Sequence, residues 1–466
     1  MPNEYIKNGS QSFTITLNAN TFYVLFFVLL VLKVIPLYHP HHIKLLEVLD
    51  QSIVWLLALY GNRIMGGIVW LLALALFMGG VFRCYESPPG WLKCLGTWIQ
   101  ENKLTAFFWI LLVSGLIISS LNAFVGIQET SGLSWEEQRQ AYLLLVSALA
   151  SYSFLFISYG VFRLYFSNRN YLPVLFLLIL VNLIPFWQKI DFASTRFFMD
   201  YTIGGYINYW IARRITSVLD AATTYSAFAA VTAVFFWGRF LTFKSEGAAR
   251  SLEFFVAVLA MAGALLAGSR TGILSLLLGF MALFFYVSRR KKWWMVCAAL
   301  MAVVLMHVFA LWHPFLGKKV GEVFPYVNKL RQHEAVTPND FVPDFSVAHS
   351  KGKGGRWNRI KQSFDLWQKN PWFGIGLGQY NVISGHEWKG NVHNLFMNIL
   401  CEAGIFVFVA WLYLVGRFVW RFRRSYLMAV VVSIFVVSCF ENLFDHSLPW
   451  VLTCAWIFSR DEAWVS

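Results

Sequence analysis

Apolar runs of about 17 to 25 residues, each long enough to cross a hydrocarbon core of roughly 30 Å as a helix, recur along most of this chain. They fall at 21–38, 64–82, 104–124, 140–162, 171–187, 217–239, 251–268, 271–288, 293–312, 394–416, 426–444 and 447–459, the last being short. The period-two alternation of a membrane barrel is missing. A backbone in lipid must satisfy its own hydrogen bonds, so runs of this kind are helices. The pattern predicts an all-α polytopic membrane protein with about twelve transmembrane helices. A further apolar stretch, 44–60, carries Glu47 and Asp50 in its first half, which fits an interfacial helix or a span with its acids turned into the bundle.

Polar positions set the organisation. The single long hydrophilic insertion divides the chain into an N-terminal transmembrane bundle (1–312), a large loop (313–393) and C-terminal transmembrane helices (394–466). Loops of that length are uncommon without a function. Within it, Gly355 to Lys369 places Trp357, Ile360, Phe364 and Trp367 near helical spacing with Arg356, Arg359 and Lys361 between them. This predicts an amphipathic helix ending before Pro371, able to lie on a membrane surface. Thr337 to Gly355 is rich in Pro, Asp, Ser, Lys and Gly and reads as mobile. The run Gly374 Ile375 Gly376 Leu377 Gly378 has no βαβ unit around it, so a dinucleotide fingerprint is disfavoured and a tight turn that lets backbone approach a helix or ligand is expected.

Composition sharpens the class. With 58% hydrophobic and 13% charged residues over 466 positions, the chain is too apolar for a soluble protein. The formal charge of +14 would suggest nucleic acid in a soluble chain. In a membrane protein it belongs to cytoplasmic loops and anionic headgroups instead, so no nucleic-acid partner is expected. The runs Arg289 to Lys292 and Arg417, Arg421, Arg423 and Arg424, with Arg239, Lys244 and Arg250, sit beside spans and read as cytoplasmic. Counting crossings from these anchors puts 125–139, 188–216, the junction near 269 and the loop 313–393 on the outer side. Six scattered cysteines without a CxxC argue against a zinc site or disulfide framework. Met1 to Asn20 is polar and has no basic region followed by a cleavage site, so no removable signal peptide is expected.

A few residues carry candidate chemistry. Arg270, in Ala267 Gly268 Ser269 Arg270 Thr271 Gly272, stands between two apolar runs with almost no loop around it. It is either a hairpin arginine snorkelling to headgroups or an anion site, where a planar guanidinium beside small residues and a helix start matches a phosphate. Arg213 and Arg214 precede the span beginning near 217, and topology places them on the same outer face as Arg270. His393, in Asn391 Val392 His393 Asn394 Leu395, opens the span after the long loop. It is a helix cap, a headgroup contact or a general base, since an imidazole titrates near neutral pH. His386, His333, His313 and His446 are further outer-side histidines read as structural, and Glu402 reads as a packing or hydrogen-bonding residue within its span.

Taken in order, Arg214, then Ser269 Arg270 Thr271 Gly272, then a long outer loop with Trp357, Pro371 and Gly374 to Gly378, then His393 Asn394 Leu395 Phe396 and Glu402 Ala403 Gly404, the chain resembles the bacterial O-antigen ligase and O-antigen polymerase superfamily over roughly residues 200 to 420. The resemblance implies a GT-C-like glycosyltransferase architecture in the bacterial inner membrane with its active site facing the periplasm. It implies that Arg214 and Arg270 hold the diphosphate of an undecaprenyl-diphosphate-linked glycan and that His393 is the catalytic histidine. Arg213, Arg356, His386 and Asn394 would be substrate-binding. Around Arg214 the family's Gly and Asn-Pro-Asn-like stretch is replaced by Ser217, Asp220, Ala221 and Ala222. The implied partners are the lipid-linked glycan, a lipid A core acceptor and membrane lipids, with no cofactor and no metal. The implied reaction moves glycan to the lipid A core without a metal, because the diphosphate is already a leaving group, and inverts the anomeric carbon. An O-antigen polymerase, a lipid-linked glycan flippase and a membrane scaffold are the alternatives.

Overall fold

A computed structural model describes residues 19–32, 70–78, 97, 99–129, 135–164, 171–190, 219, 222–242, 248–312, 325–334, 336–337, 356–383, 392–441 and 448–460. Among the described residues the chain is all-helical, with no strand. In chain order the helices are α1 (Ala19–Leu32), α2 (Lys103–Glu129), α3 (Trp135–Leu164), α4 (Leu172–Ile190), α5 (Ala222–Thr242), α6 (Ala248–Leu266), α7 (Arg270–Tyr286), α8 (Lys292–Trp312), α9 (Pro325–Arg331), α10 (Arg356–Lys369), α11 (Tyr380–Ile383), α12 (Leu395–Arg421), α13 (Leu427–Phe440) and α14 (Leu448–Arg460). A further helical stretch covers 70–78. The stretch 44–60 and the segment 338–355 lie outside the described residues, as do Lys244, His313 and His446.

Among the described residues, five helical stretches are long and apolar enough to cross a membrane, and four shorter apolar helices accompany them. The chain is thus a polytopic helical membrane protein. Its outer faces fit that medium: α2 turns Leu104, Phe107, Ile110, Val113, Ile117 and Leu121 outward along its length, all exposed. A continuous apolar stripe of that size is not stable against water.

α5 sits at the centre, buried almost throughout, with α6, α7, α13 and α14 around it. Most of its positions are apolar or small, as suits a helix with no lipid or water face. Its alanines, Ala227, Ala229, Ala230 and Ala233, let neighbours come close. On α7, Gly272 lies against Ser226 of α5, and Gly279 lies against Val234 of α5 and Ser433 of α13. Between them Ser275 donates to the Ser433 carbonyl at 2.9 Å. This small-residue stripe joins three helices where the apolar effect between helices is absent and packing must supply adhesion.

Hydrogen bonds fix which ends meet. Tyr286 donates to the Arg423 carbonyl at 3.1 Å, and with Ser275 opposite Ser433 this makes α7 and α13 antiparallel. Arg417 donates to Asn102 at 3.1 Å and Ser119 donates to the Glu402 carbonyl at 2.7 Å, so α2 and α12 are also antiparallel. α5 and α6 follow suit, through Ser226 on the Ala264 carbonyl at 2.9 Å and the buried Arg239–Glu253 pair at 2.9 Å. One end of the bundle therefore gathers Arg239, Arg289 to Lys292, Arg417, Arg421, Arg423 and Arg424, and Lys291 ties into it by donating to the Leu241 carbonyl. The other end holds the starts of α5, α7 and α12, the ends of α2, α6 and α13, and helix α10.

Candidate functional site

α12 begins at that second end. Asn394 is its N-cap: its side-chain oxygen accepts from the Met397 amide at 2.9 Å, filling one of the free amides of the first turn. Its amide group donates to the Cys439 carbonyl at 2.9 Å and so pins the start of α12 to the end of α13. The preceding residue, His393, has φ +53, a left-handed conformation uncommon outside glycine, although asparagine, aspartate and histidine adopt it more often than other side chains. Strain of this sort persists only where the surroundings hold it. Here the cap, the Glu441 contact and α10 do so.

The imidazole is held on both sides. Nδ1 lies 2.9 Å from Glu441 Oε2, and Nε2 lies 3.0 Å from Arg359 Nη1. A guanidinium only donates, so Nε2 accepts, and Nδ1 therefore carries the proton and donates to Glu441. The arrangement selects a neutral ring whose basic lone pair is on Nε2. Glu441 caps the end of α13, where its amide donates to the Val437 carbonyl at 2.9 Å and its side chain is 8% exposed. If it stabilises the imidazolium formed when the ring takes a proton, Glu441→Gln lowers turnover by roughly ten- to a hundredfold, part of the full worth of a general base. Steady-state rates of the reaction that the resemblance implies, with an intact elution profile, check this, and an unchanged rate leaves Glu441 a purely structural cap.

Arg359 reaches the ring from α10. The stretch 355–369, whose spacing predicts an amphipathic helix, is helical from Arg356 to Lys369. Its seam against α12 runs through Ile360, Ser363 and Leu366, while Trp357 and Phe364 face outward at 75% and 41% exposure. The four aromatic and aliphatic positions of the sequence pattern thus do not share one buried face. Tyr380 anchors α10 by donating to the Arg359 carbonyl at 3.2 Å. Burial pushes its phenol up to about 12, so it stays a protonated donor.

A notch in α12 receives the glycine run. Gly404, at φ +79 and ψ 179, interrupts the helix, and the carbonyls and amides freed there are taken by residues 371–376. Ile375 donates to the Cys401 carbonyl at 2.9 Å, Gly376 to the Glu402 carbonyl at 3.0 Å, and Ile405 to the Pro371 carbonyl at 3.0 Å. Broken helices are tolerated at membrane depth when other protein groups re-satisfy the backbone in this way. Gly374, Gly376 and Gly378 all have positive φ, and a Cβ on them would strike Glu402 and Ala403 of α12, Ala123 of α2 and Leu144 of α3 respectively. The glycine run is a close-approach turn against helices. The Glu402 carboxylate, 3% exposed, accepts from the Tyr380 amide at 3.3 Å and from Asn398 at 3.1 Å, joining turn and helix. Gly376→Val, with left-handed backbone and no room, costs roughly 2–6 kcal/mol. A fall in folded yield and in Tm measured by thermal unfolding in detergent is the expected result, and a Tm within a degree or two of the parent contradicts the packing described.

Arg270 opens α7 at the same end of the bundle. Gly268, at φ +67, turns the chain between α6 and α7; Ser269 and Thr271 are buried, and Arg270 alone of these faces outward. Since α7 and α13 are antiparallel, Arg270 stands at the end where Glu441 and His393 lie. Arg213, Arg214 and His386 lie outside the described residues, and Arg356 is placed only as the first residue of α10. Glu441 was not singled out from sequence and Arg359 only as part of a helix. The available signals were an acid at the edge of an apolar run and an arginine one turn into an amphipathic helix.

The fold and this end of the bundle define a polytopic helical membrane protein with an imidazole and guanidinium groups at one mouth. Residues 255–412 match the family model described as O-antigen ligase, which supports the resemblance to the O-antigen ligase superfamily. The matched segment contains Arg270, Arg359 and His393; Arg214 and Glu441 lie outside it. No curated protein and no solved structure matches the chain.

Proposed function

We propose that the chain is a glycosyltransferase of about twelve spans and GT-C-like architecture that moves O-antigen glycan from undecaprenyl diphosphate to the lipid A core, on the periplasmic face of the bacterial inner membrane. One observation carries the reading: His393 is held as a neutral ring with its lone pair on Nε2, at the end of the bundle that bears Arg270 and is opposite the basic end. The positive-inside rule makes the basic end cytoplasmic and the His393 end external. The family match to an O-antigen ligase supports the same chemistry.

The acceptor hydroxyl gives its proton to Nε2 of His393 as its oxygen attacks the anomeric carbon. The bond from that carbon to the diphosphate oxygen breaks, and the diphosphate departs with the electron pair. Direct displacement inverts the carbon. Guanidinium groups at the mouth, Arg270 first and Arg214 with it, meet the charge that develops on the leaving group. Arg213, Arg356, His386 and Asn394 remain the proposed substrate contacts, with Asn394 acting through its cap on α12. Nothing in this route calls for a nucleotide or a metal.

The test is purified protein with defined lipid-linked glycan and two acceptors, core lipid and a second lipid-linked donor, without nucleotide or added metal. Glycan on core lipid is the expected product. Elongated glycan on the carrier lipid makes the protein a polymerase, and no covalent product with donor appearing across a vesicle membrane makes it a flippase.

A further inference from the structure

In the arrangement described, both ring nitrogens of His393 are engaged: Nδ1 donates to Glu441 and Nε2 accepts from Arg359. A base needs a lone pair that the acceptor hydroxyl can reach. The proposed transfer therefore requires one of these two partners to leave before the proton can move.

Chemistry decides which one. Releasing Glu441 exposes Nδ1, which carries the proton and is no base. Releasing Arg359 uncovers the Nε2 lone pair itself. Arg359 also sits on the more adaptable partner: α10 lies in the long loop, its seam with α12 is one side of an otherwise outward-facing helix, and a guanidinium rides on a long, rotatable stem.

The bond to be broken is weak in the relevant comparison. A guanidinium facing a neutral imidazole nitrogen makes one hydrogen bond without an opposite charge in that contact. Against a phosphate it makes two parallel bonds to an opposite charge, a bidentate pairing stronger than one bond to a neutral acceptor. An anion of fork-like geometry brought to this mouth therefore outcompetes the imidazole for Arg359.

We propose that Arg359 masks the base of His393 in the resting protein and is drawn off by the donor's diphosphate, so that His393 becomes able to accept a proton only when donor is bound. This rests on the transferase reading above and assigns to Arg359 a donor-sensing contact that neither Arg270 nor His393 supplies. It orders the reaction, donor first and acceptor activation second. The proton balance is unaffected: Nε2 takes the acceptor's proton, and the imidazolium is held by Glu441 through Nδ1.

The experiment reads the accessibility of Nε2 directly. Full-length protein in detergent is treated with diethyl pyrocarbonate, and carbethoxylation of the His393 peptide is followed by mass spectrometry with and without inorganic diphosphate, a probe too small to bury the ring. Diphosphate is expected to speed modification of His393 by roughly tenfold or more, the effect of freeing one hydrogen bond from a charged donor. Arg359→Met, which keeps the apolar stem, is expected to react at the fast rate already and to ignore diphosphate. In transfer assays its KM for the lipid-linked donor rises more than its kcat falls. Should Arg359→Met lose its native elution profile, the diphosphate response of the parent protein still decides. A parent His393 that reacts fast without diphosphate, or does not respond to it, overturns the mask. The labelling does not depend on turnover: a diphosphate response without glycan transfer sinks the transferase reading alone, and transfer without the response sinks the mask alone.

Discussion

His393→Asn is expected to lower transfer by about 10²–10⁴-fold, the range a positioned general base supplies, while binding of undecaprenyl diphosphate stays within a factor of two or so. Asparagine is the informative replacement because His393 sits at φ +53, a conformation asparagine tolerates and alanine resists. His393→Ala would mix loss of the imidazole with strain at the start of α12, next to the Asn394 cap. With Asn, a folded protein that binds donor and does not turn over isolates the ring. Initial rates with a saturating acceptor, set beside equilibrium binding of the carrier diphosphate, separate the two effects. Near-normal rates would pass the base role to another group, and His386 is the histidine that sequence offers next.

How legible this site was depended on how far apart its parts lie in the chain. The run 271–288 predicts a span, and α7 covers Arg270–Tyr286, because apolar length alone defines a membrane helix. The glycine run signalled a close-approach turn through residue type alone, and its three positive φ angles are that turn. The partners of His393 carried no local signal: Arg359 lies 34 residues before it and Glu441 48 after it. Their meeting is set by how α10 and α13 pack on α12, which no periodicity records. The break at Gly404 was hidden for a related reason. A single glycine in an apolar run reads as a tolerated one, and it becomes a break only because residues 371–376 arrive from the loop to accept and donate in place of the lost helical bonds. Helix ends moved as well. The run 104–124 ends where apolar residues thin out, yet α2 continues to Glu129, since a helix needs no lipid to propagate beyond the bilayer.

Arg270→Ala is expected to reduce transfer by about 10²–10³-fold, the loss seen when one preorganised donor facing developing charge is removed. What makes the result interpretable is the local structure. In the turn from α6 to α7, Gly268 supplies the left-handed residue, Ser269 and Thr271 are buried, and Gly272 has Ser226 against it. Arg270 is the exposed position between them, at the first turn of α7, where alanine is at least as good a helix former. The substitution therefore leaves the hairpin and the α5–α7–α13 packing in place, and elution profile and Tm are expected to match the parent. A guanidinium that merely snorkelled to headgroups would be dispensable under these conditions, so full activity in Arg270→Ala removes the diphosphate role. Arg270→Lys sharpens the comparison, since it keeps the charge but not the planar fork that fits two phosphate oxygens at once. Activity between that of alanine and arginine, with most of the change in kcat, points to stabilisation of the departing diphosphate. Recovery to the parental rate would mean that positive charge at the mouth suffices and that the fork is unused.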